Sequence, residues 1–391
     1  MKITIIGWYG TETIGDRGIL AGLISFFGQI YGEFEIKLGS LNPFFSERTI
    51  HEDQSLYEEF TEKKVGVSVF NVKNNKDLNK AIKDSDLVVM GGGPLMDLNE
   101  LFMVEYAFKL AKKNNIRTAL LGCGIGPLFQ DKFKISVLNI INKSDLVILR
   151  DEQSKVNLQV ISNEFSEDLK GVNLHVSMDP AVECCVKYRK INTLLQKNYI
   201  AVNIRDFPKD YSELDISDLI NNKIISFIKK ISRQYPKREV RLIPMSYFYL
   251  GCDDREFLNK AILQEKLDNV TVQNKPLTLK DTMRIFQNSY FNIGMRFHSV
   301  VFQTMLSGKN YILDYTEPRK GKIYGFIKDV DEDDFYKNRY ITLQDDNVFE
   351  FKNMSQNINK VFTLNEKNID DLLNVYIREL RLLNKRSCKK C

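Results

Sequence analysis

The chain has 391 residues, of which 43% are hydrophobic and 27% are charged, and its formal net charge is +5. This length suits two domains of ordinary size, and this composition can fill two hydrophobic cores. The net charge is too small, for a chain of this length, to indicate nucleic-acid binding. No stretch approaches the roughly 18 apolar residues of a membrane-spanning helix, and no signal-peptide region follows the first strand. We therefore expect a cytoplasmic protein.

The six cysteines predict neither a disulfide framework nor a metal site. Cys184 and Cys185 are adjacent, and only Cys388 and Cys391 have the spacing of zinc ligands. That pair lies on a basic tail without a second pair of ligands, so we expect reduced thiols, no bound metal and no cofactor.

The first half of the chain repeats a short apolar run, a glycine-containing turn and a helical stretch. Strands are predicted at 2–6, 34–38, 85–90, 117–121, 145–150 and 174–178, with helices at about 15–31 and 101–112 and another from 152 onward. Apolar strands alternating with helices indicate a parallel sheet that is covered on both faces. Ligands bind such sheets beyond the carboxyl ends of the strands, where the glycine turns at 7–10, 91–93 and 122–127 are expected.

The second half repeats this pattern after a boundary near residues 180–189. Strands are predicted at 199–204, 239–244, 270–272, 290–293 and 311–315, and helices at 216–234, 254–267 and 279–287. The fold class is therefore α/β, with two Rossmann-like parallel-sheet domains that face a cleft, a GT-B-like architecture. We predict an N-terminal domain over 1–183, a second domain over 184–365, and a C-terminal amphipathic helix with a basic tail over 366–391.

The C-terminal helix has two interpretations. Its apolar positions between Leu372 and Leu383 share one face, which can pack back onto the protein. Alternatively, this face and the basic tail make weak contact with a membrane surface, as interfacial helices do.

Residues 294–299 form the most informative motif. Arg296 and His298 are two residues apart, directly after an apolar strand and at the start of a predicted helix. Arginine binds a carboxylate or phosphate through two parallel hydrogen bonds, and histidine transfers protons near neutral pH. The pair suits an enzyme that handles a small anionic donor. The alternative is a surface arginine beside a structural histidine that caps a helix.

Seven motifs, in chain order, resemble those of the polysaccharide pyruvyl transferase family. They are residues 7–10 (GWYG) with 15–20 (GDRGIL), 91–97 (GGGPLMD), 124–128 (GIGPL), 150–154 (RDEQS), 179–181 (DPA), 294–299 (GMRFHS) and 322–326 (KIYGF). The resemblance covers residues 3 to about 330. The sequence departs from the family at Thr13, where an asparagine is usual, and at Arg17, where an acidic residue is usual. It departs again after Tyr315, where Thr316-Glu317-Pro318 and a short insertion precede Lys322.

The resemblance implies an enzyme with a GT-B-like fold that transfers pyruvate from phosphoenolpyruvate onto two hydroxyls of a sugar, giving a cyclic ketal. Phosphoenolpyruvate would be a co-substrate. The acceptors of the family are precursors of cell-surface polysaccharides such as capsule or exopolysaccharide, and they are often lipid-linked. Such an acceptor would bring a cytoplasmic enzyme into peripheral contact with the inner membrane surface.

The donor side is expected in the second domain. Arg205 and Arg296 follow predicted strand ends and are the candidate anion-binding groups, with His298 as the proton-transfer residue and Phe297 and Lys322 as further donor contacts. The alternatives are a surface ion pair between Arg205 and Asp206, a solvated charge at Lys322 and a structural role for His298.

The acceptor side is expected in the first domain. Its candidates are residues of the glycine turns and their neighbours: Trp8, Tyr9, Gly10, Asp16, Gly92, Gly93 and Asp97. The glycines would let a ligand approach backbone N–H groups at a helix N-terminus, the aspartates would bind sugar hydroxyls or act as a base, and the aromatic rings would stack on a sugar. Alternatively, the glycines only form tight turns and the aspartates only cap helices.

Two other functions remain open at this stage. One is a GT-B glycosyltransferase, in which Arg296 and Lys322 hold the diphosphate of a sugar nucleotide. The other is a non-catalytic sugar-binding protein of a polysaccharide assembly complex.

Overall fold

The computed structural model describes residues 1–208, 216–248, 252–265, 267–316, 318–344 and 358–385. Glu317 and the basic tail with Cys388 and Cys391 lie outside the described residues. No disulfide joins the four described cysteines, Cys123, Cys184, Cys185 and Cys252. In the parts of the chain that the structure describes, no helix combines the length and the apolar character needed to span a membrane.

The strands and helices alternate along most of the chain. The strands are β1 (Lys2–Ile6), β2 (Glu35–Ser40), β3 (Gly66–Asn71), β4 (Leu87–Leu95), β5 (Arg117–Ile125), β6 (Leu146–Leu149), β7 (Leu174–Val176), β8 (Tyr199–Asn203), β9 (Glu239–Leu242), β10 (Val270–Val272), β11 (Phe291–Gly294), β12 (Asn310–Asp314) and β13 (Tyr340–Thr342). The helices are α1 (Ile14–Ile30), α2 (Pro43–Thr61), α3 (Asn75–Lys83), α4 (Leu101–Lys113), α5 (Asp131–Asn142), α6 (Glu152–Glu164), α7 (Pro180–Ile191), α8 (Ser217–Gln234), α9 (Asp254–Glu265), α10 (Leu279–Asn288), α11 (Phe297–Leu306), α12 (Lys322–Val330) and α13 (Glu366–Lys385), with a short 3-10 helix at Phe335–Asn338.

The chain divides into two compact units. Unit 1 contains Met1–Thr11, Asp16–Cys184 and the described residues from Glu366 onward, and unit 2 contains Glu12–Gly15 and the described residues of Cys185–Asn365. Two segments depart from the expected ranges 1–183, 184–365 and 366–391. Glu12–Gly15 groups with unit 2, because its backbone bonds to that unit, and α13 groups with unit 1.

Unit 1 is built on a seven-stranded sheet in the order β3-β2-β1-β4-β5-β6-β7, and its neighbouring strands pair in parallel. Val88 and Val89 of β4, and Leu120 and Leu121 of β5, are all fully buried although they point to alternate faces. Both faces of the sheet are therefore covered, as the continuous apolar runs predict.

Unit 2 repeats this topology with a six-stranded sheet in the order β10-β9-β8-β11-β12-β13, again with parallel neighbours. Within each unit, the order of the first six strands is the 3-2-1-4-5-6 order of Rossmann folds. The strand order reverses between β1 and β4 in unit 1, and between β8 and β11 in unit 2. The loops beyond the carboxyl ends of these strand pairs are where such sheets bind ligands.

The C-terminal helix α13 packs within unit 1 through its apolar face. Tyr376 is fully buried, stacks on Phe26 with 4.4 Å between ring centroids, and donates a 2.6 Å hydrogen bond to the carbonyl of Met178. Leu373 and Leu380 on the same face are also buried. This face therefore belongs to the core, and it is not available to a membrane surface in this conformation.

Candidate active site

The two predicted anion-binding arginines leave the carboxyl ends of neighbouring strands in unit 2. Arg205 follows β8 and Arg296 follows β11, and these strands pair in parallel where the strand order reverses. The backbone amide of Arg296 donates to the side-chain oxygen of Asn203, at the end of β8, over 3.0 Å. The arginine side chains keep 16% and 17% of their surface exposed. The strand pairing thus brings both guanidinium groups to one edge of the sheet.

Arg296 is held in place by Asp254, the first residue of α9. Its Nε lies 2.8 Å from one carboxylate oxygen, and its Nη2 binds the other. The Asp254 side chain is fully buried, and its Oδ2 also accepts the backbone N–H groups of Met245 and Ser246 at 3.0 and 3.2 Å. Burial opposes the charged form of Arg296, but the Asp254 carboxylate outweighs it and raises the arginine pKa. Arg296 is therefore a permanently charged group with a fixed orientation.

Arg205 is held by weaker hydrogen-bond partners than Arg296. Its Nε donates to the carbonyl of Asp206 over 3.1 Å, and its Nη2 lies 3.5 Å from the thiol of Cys252. The nearest oxygen of the Asp206 carboxylate is 3.7 Å from Nε, and that carboxylate is 46% exposed. Because no buried carboxylate of the described residues binds it as closely as Asp254 binds Arg296, Arg205 retains more of its capacity to bind an incoming anion.

Lys322 is the third cation of this region and lies beside Tyr315. Arg205, Arg296 and Lys322 together form a cationic cluster. Tyr315 follows β12, the neighbour of β11, and Lys322 begins α12. The Lys322 ammonium lies 6.0 Å from the ring centroids of both Tyr315 and Phe297. Lys322 is half-buried rather than fully exposed.

The three cations affect the pKa of the Tyr315 hydroxyl. Its side chain is 3% exposed, and burial alone would raise its pKa. Lys322, Arg205 and Arg296 together outweigh burial and lower the pKa of Tyr315 below its ordinary value. A phenol in this position can exchange a proton under milder conditions than an ordinary tyrosine.

His298 occupies the first turn of α11, where its ring lies 5.0 Å from that of Phe297. It also packs against Gly15, because a Cβ built on Gly15 would stand 2.0 Å from the imidazole Nδ1. The Phe297 ring is 5% exposed and borders both His298 and Lys322. The structure thus brings the predicted donor residues Arg205, Arg296, Phe297, His298 and Lys322 to one region of unit 2.

The acceptor candidates in unit 1 are less uniform. Tyr9 is 4% exposed and donates a 2.7 Å hydrogen bond to the carbonyl of Gly91, so its ring cannot stack on a sugar in this conformation. Trp8 is half-buried, and its Nε1 donates to the carbonyl of Pro94 over 3.0 Å. Asp16 is also half-buried and accepts a hydrogen bond from the Thr11 hydroxyl at 3.0 Å. Trp8 and Asp16 therefore remain reachable from solvent, and Tyr9 does not.

The triple glycine does not form a turn at a helix N-terminus, as the sequence suggested. It lies inside β4, which continues to Leu95 and pairs with β5, whereas α4 begins only at Leu101. Gly92 and Gly93 have positive φ angles of 71° and 74°, and Cβ atoms there would stand 2.3 Å from Ile19 and 2.4 Å from Trp8. These glycines are required by backbone conformation and close packing.

Gly10 and Asp97 also have structural partners. Gly10 has a φ of 85°, and a Cβ there would stand 2.4 Å from the Ser40 hydroxyl. Asp97 accepts the backbone N–H groups of Phe129 and Gln130, at 3.1 and 3.2 Å, just before α5. These contacts fit the structural interpretation of both residues better than contact with an acceptor.

Arg17, where the family usually has an acidic residue, forms a buried pair with Asp53 of α2. Its Nε and Nη2 each lie 2.6 Å from one carboxylate oxygen of Asp53, and both side chains are almost fully buried. The departure is thus compensated inside the core of unit 1.

The sequence profile of the polysaccharide pyruvyl transferase family matches residues 14–315. The chain belongs to this family. Its members are enzymes, which agrees with a site of convergent charged side chains rather than with a silent scaffold. The comparison with curated proteins gives no match.

Solved structures share the fold of this pyruvyl transferase family member at low identity. The UDP-GlcNAc 2-epimerase from Methanocaldococcus jannaschii has a TM-score of 0.61 at 14% identity and covers 98% of this chain and 100% of its own. The UDP-GlcNAc 2-epimerase from Neisseria meningitidis has a TM-score of 0.56 at 11% identity, covering 97% and 93%. An alpha-glucosyltransferase solved with UDP-glucose and DNA has a TM-score of 0.53 at 12% identity, covering 97% and 94%. The predicted GT-B-like fold class, with two parallel-sheet α/β domains, is confirmed.

Three residues of the site in this enzyme were not predicted from the sequence. Asp254 resembles any acidic residue in a first helical turn, and Cys252 resembles any isolated cysteine. Tyr315 gave the clearest signal, because it ends an apolar strand next in the sheet to the one that delivers Arg296.

Proposed function

We propose that this enzyme transfers pyruvate from phosphoenolpyruvate to two hydroxyls of a sugar in a cell-surface polysaccharide precursor, forming a cyclic ketal. The observation that carries the proposal is the placement of Arg205 and Arg296 at the carboxyl ends of the neighbouring strands β8 and β11, with Lys322 6.0 Å from the ring of Tyr315, which follows the next strand, β12. Family membership supplies the reaction class, and the cationic cluster supports the donor.

Phosphoenolpyruvate suits this cluster because it carries a carboxylate and a phosphate on a three-carbon frame. A guanidinium group binds either anion with two parallel hydrogen bonds and so fixes orientation as well as charge. Arg296, immobilised by Asp254, would hold one anionic group in a fixed direction. Arg205 and Lys322, which have weaker partners than Arg296, would bind the other anionic group of the donor. Such preorganised positive charge also favours negative charge that develops on the departing phosphate.

The reaction needs a proton at the methylene carbon of the donor, attack by a sugar hydroxyl at its central carbon, and loss of phosphate. His298 borders the Phe297 ring next to the cluster, and an imidazole is suited to proton transfer at neutral pH. We assign it to proton transfer as phosphate departs. On the acceptor side, the half-buried Trp8 and Asp16 are the preferred contacts for the sugar, because Tyr9 and Asp97 are committed to internal bonds.

The test compares donors. Purified enzyme is incubated with candidate lipid-linked glycans and either phosphoenolpyruvate, UDP-sugars or CMP-sugars. We expect phosphate release with phosphoenolpyruvate only, and a product heavier than the acceptor by one pyruvate less one water. Nucleotide release from a sugar nucleotide, with no phosphate release from phosphoenolpyruvate, would instead establish a glycosyltransferase.

A further inference from the structure

We propose that Tyr315 is an acid–base catalytic residue: its hydroxyl gives a proton to the methylene carbon of the donor, and its phenolate recovers one from the attacking sugar hydroxyl. The inference rests on the proposed function and adds a residue to it. Tyr315 lies directly after β12, and β12 is the neighbour of β11, the strand that ends before Arg296.

Three elements bring positive charge to the neighbourhood of Tyr315. Arg205 comes from the end of β8 and Arg296 from the end of β11, the neighbour of β12, while the Lys322 ammonium, at the start of α12, lies 6.0 Å from the Tyr315 ring centroid. All three cations favour a negative charge on the phenolic oxygen after proton transfer. Fixed positive charges at the site of a developing anion stabilise it without reorganisation.

The backbone around Tyr315 is tightly held. Its carbonyl accepts a 3.1 Å hydrogen bond from the side chain of Gln344, and the buried Asp314 carboxylate accepts the backbone N–H and hydroxyl of Thr316 at 2.8 and 2.6 Å. A Cβ at Gly321 would stand 1.7 Å from the Thr316 hydroxyl oxygen. This close packing brings Gly321 against Thr316, and the next residue, Lys322, therefore lies near Tyr315.

The charges around the phenol set its behaviour. Lys322, Arg205 and Arg296 favour the phenolate, whereas burial opposes it, and their sum lowers the Tyr315 pKa. Among the residues that the structure describes, the nearby acidic groups have other partners: Asp254 binds Arg296, and Asp206 lies beside Arg205 and Cys252. Asp314 binds Thr316 and the Tyr340 hydroxyl. An anionic donor that binds the three cations would weaken their hold on the phenolate. Donor binding would therefore load the hydroxyl with the proton that the reaction needs.

The step balances. The electron pair of the donor's double bond forms a C–H bond with the Tyr315 proton, which leaves a phenolate and an electron-deficient central carbon. A sugar hydroxyl forms its C–O bond to that carbon and returns its proton to the phenolate. The phosphate then leaves with the electrons of its C–O bond, and the second sugar hydroxyl attacks the same carbon. The proton of that hydroxyl is passed through His298 to the departing phosphate.

The variant Tyr315→Phe tests the proposal, with Tyr324→Phe as the matched control on α12, the helix that carries Lys322. Phosphoenolpyruvate alone is titrated calorimetrically in two buffers of different ionisation enthalpy at about pH 9, where its phosphate no longer titrates and an ordinary tyrosine is still mostly protonated. Wild type and Tyr324→Phe should take up protons on binding the donor. Tyr315→Phe should bind it without that uptake.

Turnover provides the second measurement. Removal of a general acid or base typically slows a reaction by about 10²–10⁴-fold, so kcat of Tyr315→Phe should fall about 100-fold or more while KM for phosphoenolpyruvate changes less than about threefold. Circular dichroism and the thermal midpoint check that the variant is folded. A Tyr315→Phe enzyme with wild-type kcat, or with wild-type proton uptake, would remove the role of Tyr315 alone. A wild type that neither binds nor consumes phosphoenolpyruvate would instead remove the proposed function.

Discussion

Gly15 lies against the imidazole of His298 so closely that a Cβ at Gly15 would stand 2.0 Å from Nδ1. The segment Glu12–Gly15 reaches this position through backbone bonds within unit 2. Thr13 forms an antiparallel bridge with Ser246, and the N–H of Ile14 donates to the carbonyl of Met245 over 2.9 Å. Two sequence motifs far apart in the chain, at 15–20 and 294–299, thus meet in one contact that sets the position of the histidine.

Replacing Gly15 by alanine should displace His298 and leave the fold largely intact. Alanine is favourable in a helix, and the three described atoms nearest to a Cβ at Gly15 all belong to the imidazole of His298. Because small displacements of a catalytic group cost much of its rate, we expect Gly15→Ala to lower turnover with phosphoenolpyruvate about tenfold or more. Gly32→Ala is the control, since a Cβ at Gly32 meets nothing within 4 Å. Equal turnover in both variants would show that this contact does not position His298 for catalysis.

Lys322→Met should weaken donor binding. The substitution keeps much of the side-chain volume but removes the ammonium group, which lies 6.0 Å from the Tyr315 ring centroid. The variant loses the proposed hydrogen bond between the ammonium and an anionic group of the donor. A hydrogen bond to a charged group contributes about 1.5–3 kcal/mol, so KM for phosphoenolpyruvate should rise about tenfold or more in a phosphate-release assay. Lys328→Met, an exposed position on the same helix, serves as the control. An unchanged KM in Lys322→Met would place the lysine outside the donor site.

The charged residues of the site can be predicted from the sequence more fully than the residues that hold them in place. The parallel sheets and the placement of the arginines follow from the apolar runs, because the carboxyl ends of neighbouring parallel strands share one edge. β3 and β13 were not predicted, since β3 is only half-buried and β13 has three residues, and neither forms a continuous apolar run. The triple glycine was misplaced because a glycine run indicates a turn as readily as a tightly packed strand. Asp254 could not be predicted, because only the tertiary fold joins it to Arg296.

The lowered pKa of Tyr315 predicts a stability difference that needs no substrate. The unfolded chain holds this proton up to the ordinary tyrosine range, about 10, whereas the folded protein releases it earlier because of Lys322, Arg205 and Arg296. Between these two pKa values the unfolded state binds more protons, so the contribution of Tyr315 to stability rises with pH. The free energy of unfolding of wild type, relative to Tyr315→Phe, should therefore increase in urea titrations as the pH rises toward the ordinary tyrosine pKa of about 10. A constant difference, matching that of Tyr324→Phe, would contradict the lowered pKa.

The pairing of Arg296 with Asp254 requires a double variant to separate stability from catalysis. Arg296→Met alone leaves a fully buried carboxylate without its cation, and breaking a buried ion pair in this way costs about 3–5 kcal/mol. Loss of activity in this variant would therefore not distinguish a catalytic role from partial unfolding. In Arg296→Met/Asp254→Asn the uncompensated charge is removed, and the asparagine oxygen can still accept the N–H groups of Met245 and Ser246.

We expect this double variant to recover most of the stability lost in Arg296→Met and none of the phosphate release. Asp281→Asn is the control, because Asp281 pairs with Arg284 at the surface, where such pairs contribute about 1 kcal/mol or less. Thermal unfolding and phosphate release are measured on the same preparations. If the double variant regained both stability and turnover, Arg296 would be a structural arginine, and the anionic donor would have to be held by Arg205 and Lys322 alone.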